Sequence, residues 1–424
     1  SGNKAGNLNL TLDDAPWATV SGGLNNTASG QWSTIGGGYS NDASASSATI
    51  GGGYDNTASS VSATVAGGQF NVASGGWSGV GGGARNVASG ELAYVGGGGG
   101  TDNVSMGNTA SGNGAFIGGG QSNIAGATFG TIGGGQSNVA GNNTNLPYIT
   151  VGGGWSNEAT LAGSTIAGGY DNTVNGSGAY GTIAGGFQNT ASGLYAAVGG
   201  GTLNTASGQF AAVPGGNSNS ATATASFAAG NRAKSNNSGA FVWGDSTAAD
   251  ISSTASNQFI VRASGGVWFG TTSTPANDLT AGRFLATSTG AYLTTGGTWT
   301  NSSDRNVKEN FRQVSGRQLL EKLDRIPVET WNYKTEGGMI RHMGPMAQDF
   351  RAAFGLGEDD KHIATVDADG VALAGVQALY RMVQERDARI ASQEQRLEEQ
   401  AARIERLERL LSGQQRAHAL RQTE

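Results

Sequence analysis

Cysteine is absent from the 424 residues, so the chain has no disulfide framework, thiolate nucleophile or thiolate metal site. Histidine occurs only at His342, His362 and His418, too few and too scattered for a zinc cluster. Charged residues make up only 13% of the chain, and their net of −6 with pI ≈ 5.2 argues against nucleic acid as the main partner. No apolar run reaches the roughly 18 residues of a membrane-spanning helix, so no membrane insertion by this chain is expected. Neither an initiator Met nor a signal-peptide pattern opens the sequence, which reads as a processed or trimmed product. Nothing in this inventory calls for a cofactor or a metal.

What abounds is glycine, 74 residues, and it is concentrated before residue 250. The only basic residues there are Lys4, Arg85, Arg232 and Lys234. The remainder has ordinary composition and becomes densely charged towards its end, so two architectures share one chain.

The glycine-rich half is periodic. An Asn-x-Ala step recurs at Asn26, Asn41, Asn56, Asn71, Asn86, Asn108, Asn123, Asn138, Asn157, Asn172, Asn189, Asn204, Asn219 and Asn231, with Val174 the one departure from Ala. Each step is followed by an aliphatic residue and then small ones: Val20, Ile35, Ile50, Val65, Val80 and Val95 stand 15 apart. The series resumes at Ile117, Ile132, Val151, Ile166, Ile183, Val198 and Val213. A unit this short suits one solenoid turn with two strands and two tight turns, each aliphatic stacking on its copy. Stacked Asn side chains would form a ladder, and glycine would supply the positive φ of the turns. Flexible linkers do not hold phase this long, collagen needs Gly at every third position, and a calcium β-roll needs an Asp per turn. One or two aliphatics per turn make a thin core, and sharing the apolar column between chains would remedy it, which points to an oligomer.

Asn86-Val87-Ala88-Ser89-Gly90 followed by Val95-Gly96-Gly97-Gly98, and equally Asn189 to Gly201, resemble the YadA-like head repeats of trimeric autotransporter adhesins. The resemblance covers about residues 17–245 and implies a trimeric, left-handed parallel β-roll. Insertions around 99–108, 141–148 and 175–181 depart from it, as does the lack of a membrane-anchor barrel in this chain. Residues 246–302 read as a β-rich connector, with strands expected at Asn257–Arg262 and Val267–Phe269.

Ser302-Ser303-Asp304-Arg305-Asn306-Val307-Lys308 admits two readings. One is a helix start with Ser or Asp as N-cap. The other is a Ser-Lys dyad, in which a serine hydroxyl gains a base from a neutral lysine. A spacing of five puts the two residues about 140° apart around a helix, so a pairing needs a non-helical lead-in. Further on come Gly344-Pro345-Met346-Ala347-Gln348-Asp349 and a long charged helix. Together these segments resemble the endosialidase-type intramolecular chaperone auto-processing domain of phage tail spikes and fibres, over about residues 302–411. The resemblance implies trimerisation, assisted folding of the upstream β-structure, and a cut between Ser302 and Ser303. Ser303 carries over as nucleophile and Lys308 as base, Asp304 as a supporting neighbour and His342 as a weak candidate beside a structural role. Asp367-Ala368-Asp369-Gly370 begins like a calcium loop, lacks the twelfth-position Glu, and reads better as a turn before the helix.

From Val371 to Leu411 a heptad seam runs through Val376, Val383, Ile390, Leu397, Ile404 and Leu411, with Leu379 and Leu407 among its second positions. Arg386, Gln393 and Gln400 interrupt those second positions. Residues 414–424 read as a frayed tail.

The fold expected is mainly β, a trimeric left-handed parallel β-roll over 1–245, a connector over 246–302, and a small α+β chaperone domain over 303–370 that ends in a trimeric coiled coil over 371–413. The function expected is a homotrimeric extracellular fibre or adhesin, on a virion or a bacterial surface, that cleaves itself once and acts on no other substrate. Its receptor would be a cell-surface glycan or protein, and exposed aromatics such as Trp32, Trp77, Trp155, Tyr39, Tyr54 and Tyr170 could stack on sugars or pack between chains. Two alternatives are a glycan-degrading tail-spike enzyme, which would need a carboxylate pair among few acids, and a spacer that binds nothing.

Overall fold

A computed structural model describes residues 2–6, 16–100, 106–142, 145–176, 178–269, 282–336 and 338–420. It divides into two compact units, Ser1–Gly265 and Gly266–Glu424.

The first unit is a parallel β-solenoid. Each turn carries two strands, mostly of two residues, such as Thr27–Ala28 and Thr34–Ile35. Strands of successive turns pair in parallel, Ala28 with Ala43 and Ile35 with Ile50, giving one 16-stranded sheet and a second open one that runs from Thr19–Val20 to Phe259–Arg262. The 15-residue period therefore stacks like on like. Ile35, Ile50, Val65, Val95, Ile117 and Ile132 form a column at 0% exposure, flanked by an equally buried alanine column through Ala28, Ala43 and Ala58.

This burial corrects one expectation. The aliphatic column is enclosed within a single chain and is not shared between chains. The turn is narrow enough for one aliphatic and two small residues to fill it, and Ala48 and Ala63 complete the layer at 0% exposure.

The asparagines form the expected ladder. The backbone N–H of each donates to the Oδ1 of the Asn one turn before, at 3.0–3.1 Å, from Asn41 on Asn26 through Asn219 on Asn204. Each Nδ2 closes its own turn: Asn41 donates to Gly37 O and to Gly53 O of the next turn, both at 3.0 Å. These side chains are 0–1% exposed, so each replaces lost water with protein partners. Gly38, at φ +97°, lies under this layer, and a Cβ there would sit 2.1 Å from Gly53 O, so only glycine permits the spacing.

The insertions do not break phase. Asn86 still meets Asn108, Asn138 meets Asn157, and Asn172 meets Asn189. Residues 101–105, 143–144 and 177, within the insertions, lie outside the described residues. Two rungs differ from the sequence reading. Asn3 precedes Asn26 in the ladder, accepting its N–H at 3.1 Å. Asn231 is not a rung: Asn219 Oδ1 accepts from Ala233 N at 2.9 Å, while Asn231 is only partly buried and accepts from Asn217. Stacking shortens there to 14 residues, Phe227 over Phe241, which moves Asn231 out of phase.

Parallel pairing does not stop at the expected boundary of 245. Phe241–Gly244 pairs with Phe259–Arg262, and Arg262 then bonds Asp245 at 2.9 Å and three carbonyls, including Ala249 O at 2.7 Å. Hydrogen bonds from the Ser264 backbone and from Thr247 hold the Asp245 carboxyl well below its ordinary range.

Outside the turn, aromatics stack in rows. Trp17 lies on Trp32, Tyr39 on Tyr54, and Tyr180 on Tyr195 and then Phe210, with ring planes within 9°. Trp32 and Trp77 hold left-handed backbone, φ 58° and 54°, and are half exposed.

In the second unit, Val267–Phe269, Arg283–Thr287, Tyr292–Thr294 and Trp299–Thr300 form a four-stranded sheet. The expected strand at Val267–Phe269 is thus present. Among the described residues three α-helices follow: α1, Gly316–Arg325; α2, Ala347–Phe354; and α3, Thr365–Leu420. Leu319, Phe350 and Val371 build their small core. Small residues let α1 and α3 approach closely: a Cβ on Gly375 would lie 2.9 Å from Leu323 Cδ1, and one on Gly316 would lie 2.8 Å from Ala378 Cβ. α3 has 56 residues, about 84 Å at 1.5 Å per residue. It includes Asp367 to Gly370, so that segment is the helix's first turns, where Asp367 suits the dipole, and not a turn before it. It also runs through residues 414–420, where fraying was expected; residues 421–424 lie outside the described residues.

Candidate functional site

Strand Trp299–Thr300 leads the chain to Ser302 and Ser303. The helical run anticipated after them is only a three-residue 3-10 turn, Arg305–Val307. Asp304 caps it: its Oδ1 accepts from Asn306 N at 2.9 Å and from Asn306 Nδ2 at 3.1 Å. The turn ends at Lys308, which is already extended, φ −120° and ψ 149°, with its N–H on Arg305 O at 3.2 Å. One tight turn between two extended residues folds the chain back on itself. Lys308 Nζ consequently lies 2.7 Å from Ser303 Oγ and donates to it. This is the arrangement a five-residue spacing forbids within a helix and a short non-helical reversal permits.

Both side chains are exposed in the single chain. Chemically, the contact offers a hydroxyl and an amine within proton-transfer reach, directly beside the Ser302–Ser303 peptide bond.

His342 is placed elsewhere. Strand Glu329–Trp331 pairs with His342–Gly344, setting the imidazole 4.8 Å from the Trp331 ring and 5.5 Å from that of Tyr333. Its Nε2 meets Glu336 Oε2 at 2.9 Å. Among the described residues no hydrogen bond links it to Ser303 or Lys308. This environment is built by a local strand pair, Trp331 opposite His342, with Glu336 six positions away, and no motif in the sequence signals it. Among the described residues no group of three or more metal-ligating side chains occurs.

The seam residues share one helix and lie open in the single chain. Val376 is 64% exposed and Leu397 63%, while Leu379, Val383, Ile390, Ile404, Leu407 and Leu411 are also exposed. Val371 and Ala378, on another face, are covered by the small core and by α1. No helix among the described residues is long and apolar enough to cross a membrane.

Sequence reasoning missed Asn301, which precedes Ser302. Its Oδ1 accepts from Trp299 Nε1 at 3.1 Å and its Nδ2 reaches Thr365 Oγ1 at 3.4 Å. A lone Asn in a Ser/Thr-rich stretch gives no signal of this.

No curated protein matches the chain. Residues 303–355, which begin at Ser303 and run to the C-cap of α2, match the family described as chaperone of endosialidase.

Proposed function

We propose that this chain is one of three in an extracellular fibre or adhesin, and that its C-terminal region aligns the three chains and then releases itself by cutting between Ser302 and Ser303. The observation carrying the proposal is the 2.7 Å contact of Lys308 Nζ with Ser303 Oγ at the first residues of the family match.

The chemistry follows from where the nucleophile sits. Ser303 Oγ attacks the carbonyl carbon of Ser302 through a five-membered ring, while Lys308, acting as base, takes the hydroxyl proton. The C–N bond breaks as that proton passes to the leaving amine of Ser303, leaving Ser302 esterified to Ser303 Oγ. Water then hydrolyses the ester, giving a carboxylate at Ser302 and restoring the Ser303 hydroxyl. The event is a single intramolecular turnover. Asp304, as cap of the reversing turn, supports the pair; His342, held by Glu336 and two aromatic rings, takes a structural role.

The open heptad seam of α3 supports the assembly step, since such a stripe is stable in water only against partner helices. A coiled coil forms from local contacts and fixes register, whereas identical solenoid turns invite slips between chains. Once the template is cut away, the fibre can unfold but not easily reassemble, which makes its stability kinetic.

Ser303→Ala and Lys308→Ala should each accumulate as full-length trimers by light scattering and denaturing electrophoresis. Cleavage of either variant at the wild-type rate would refute the dyad; monomeric full-length protein would refute the assembly role.

A further inference from the structure

The residues before the Ser302–Ser303 bond make side-chain contacts of their own. We infer that Asn301 is a positioning residue that clamps the upstream side of the Ser302–Ser303 bond to the first residue of α3. The inference rests on the self-cleavage reading above and adds to it a substrate-holding contact.

Trp299 belongs to a strand paired with Tyr292–Leu293, so its backbone is anchored in the small sheet while its indole is half exposed. An indole N–H can only donate. Its 3.1 Å bond therefore fixes Asn301 Oδ1 towards Trp299 and turns Nδ2 the other way, where it meets Thr365 Oγ1 at 3.4 Å. The amide orientation is thus dictated by chemistry.

Thr365 opens α3, 64 positions further along the chain. The contact consequently ties the strand leading into the cut to the helix that carries the seam. On the other side, Gly290 stands at φ +85°, and a Cβ there would lie 3.4 Å from Ser302 Cβ. The segment 299–302 is thereby held from the indole and from the helix start, while Gly290, without a side chain, leaves the space beside Ser302 open.

Holding matters here because the attack is geometrically demanding. The carbonyl of Ser302 must face Ser303 Oγ while Lys308 is still in contact, and a loose upstream strand would visit that geometry rarely. The Asn301 bonds are exposed and the Thr365 contact is long, so their loss should slow cleavage without unfolding the domain.

The test is a pulse-labelled expression time course of the full chain, scoring cut fraction by electrophoresis and assembly by crosslinking. Asn301→Ala and the near-isosteric Thr365→Val should each slow cleavage by about three- to tenfold with trimer yield unchanged. Thr365→Ser, which keeps the hydroxyl, should cleave like wild type. The double variant should be no slower than the slower single variant, because the two changes remove one contact. Wild-type rates in both Asn301→Ala and Thr365→Val would overturn the inference while leaving the dyad intact. Equal slowing by Thr365→Ser and Thr365→Val, or trimer loss in step with slowing, would reduce Asn301 to a folding contact. Ser303→Ala runs alongside: if it cuts as fast as wild type, the self-cleavage reading itself has failed, a different result from either.

Discussion

Replacing Asn123 by alanine should open the solenoid locally, and the ladder gives the size of the effect. Asn123 Nδ2 donates to Gly119 O at 3.0 Å, to Gly135 O at 2.9 Å and to Asn108 Oδ1 at 2.9 Å, while its Oδ1 accepts the backbone N–H of Asn138 at 3.0 Å. Alanine removes all of these. Gly135 O keeps a second donor, Gln121 N. The Asn138 N–H is left buried without a partner, which costs about 1–3 kcal/mol, and the lost bond to Gly119 O adds about 1 kcal/mol. A local loss of about 2–4 kcal/mol corresponds to roughly 30- to 1,000-fold faster amide exchange. The assay is hydrogen exchange by mass spectrometry over peptides spanning residues 134–142. Because solenoid turns contact mainly their neighbours, distant turns should keep their protection. Asn231→Ala is the control: it has the same Asn-x-Ala context but stands outside the ladder, and protection around it should change less than about threefold. Equal deprotection by both substitutions, or none by Asn123→Ala, would refute the ladder argument.

Three further outcomes follow from other parts of the chain. Burial raises the carboxyl pKa of Asp42 above its ordinary value, so the folded chain binds that proton more tightly than the unfolded one. Its ionisation therefore costs stability as pH rises from the unfolded value towards neutrality, and Asp42→Asn should raise the unfolding temperature at pH 7 but not below about pH 4; a gain of equal size at pH 3 would contradict this. Leu397→Asp places a charge on the exposed seam and should shift full-length chains from trimer towards monomer by light scattering, while α1 and α2 keep their packing; an unchanged trimer would show that the seam is not the contact. Lys308→Arg keeps a cationic donor near Ser303 but cannot take up a proton, so it should block cleavage as fully as Lys308→Ala; cleavage in Lys308→Arg would mean that lysine only orients the hydroxyl.

The aliphatic column and the ladder were legible because stacking copies one residue type at a fixed period, as Ile35 on Ile50 shows. The same logic failed at both ends of the ladder. Asn3 stands 23 positions before Asn26, off the 15-residue period, and Asn231 keeps the local pattern while the turn around it shortens to 14 residues, a change of stacking that local sequence does not encode. Composition also suggested a core too thin for one chain, because alanine counts for little in isolation; packed as Ala28, Ala43 and Ala48 around Ile35 and Ile50, it fills the turn completely. Helical spacing excluded a Ser303–Lys308 pair inside a helix, and that exclusion was informative. The three-residue turn capped by Asp304 that instead joins them required the structure, as did the contacts of His342 with Trp331 and Glu336.

The most direct test of the account is the intact mass of freshly purified protein, wild type beside Lys308→Ala. Wild type should yield two fragments, residues 1–302 and 303–424, each with unmodified termini at the new ends, and Lys308→Ala a single full-length species. A single full-length wild-type mass, or the same two fragments from both proteins, would contradict it.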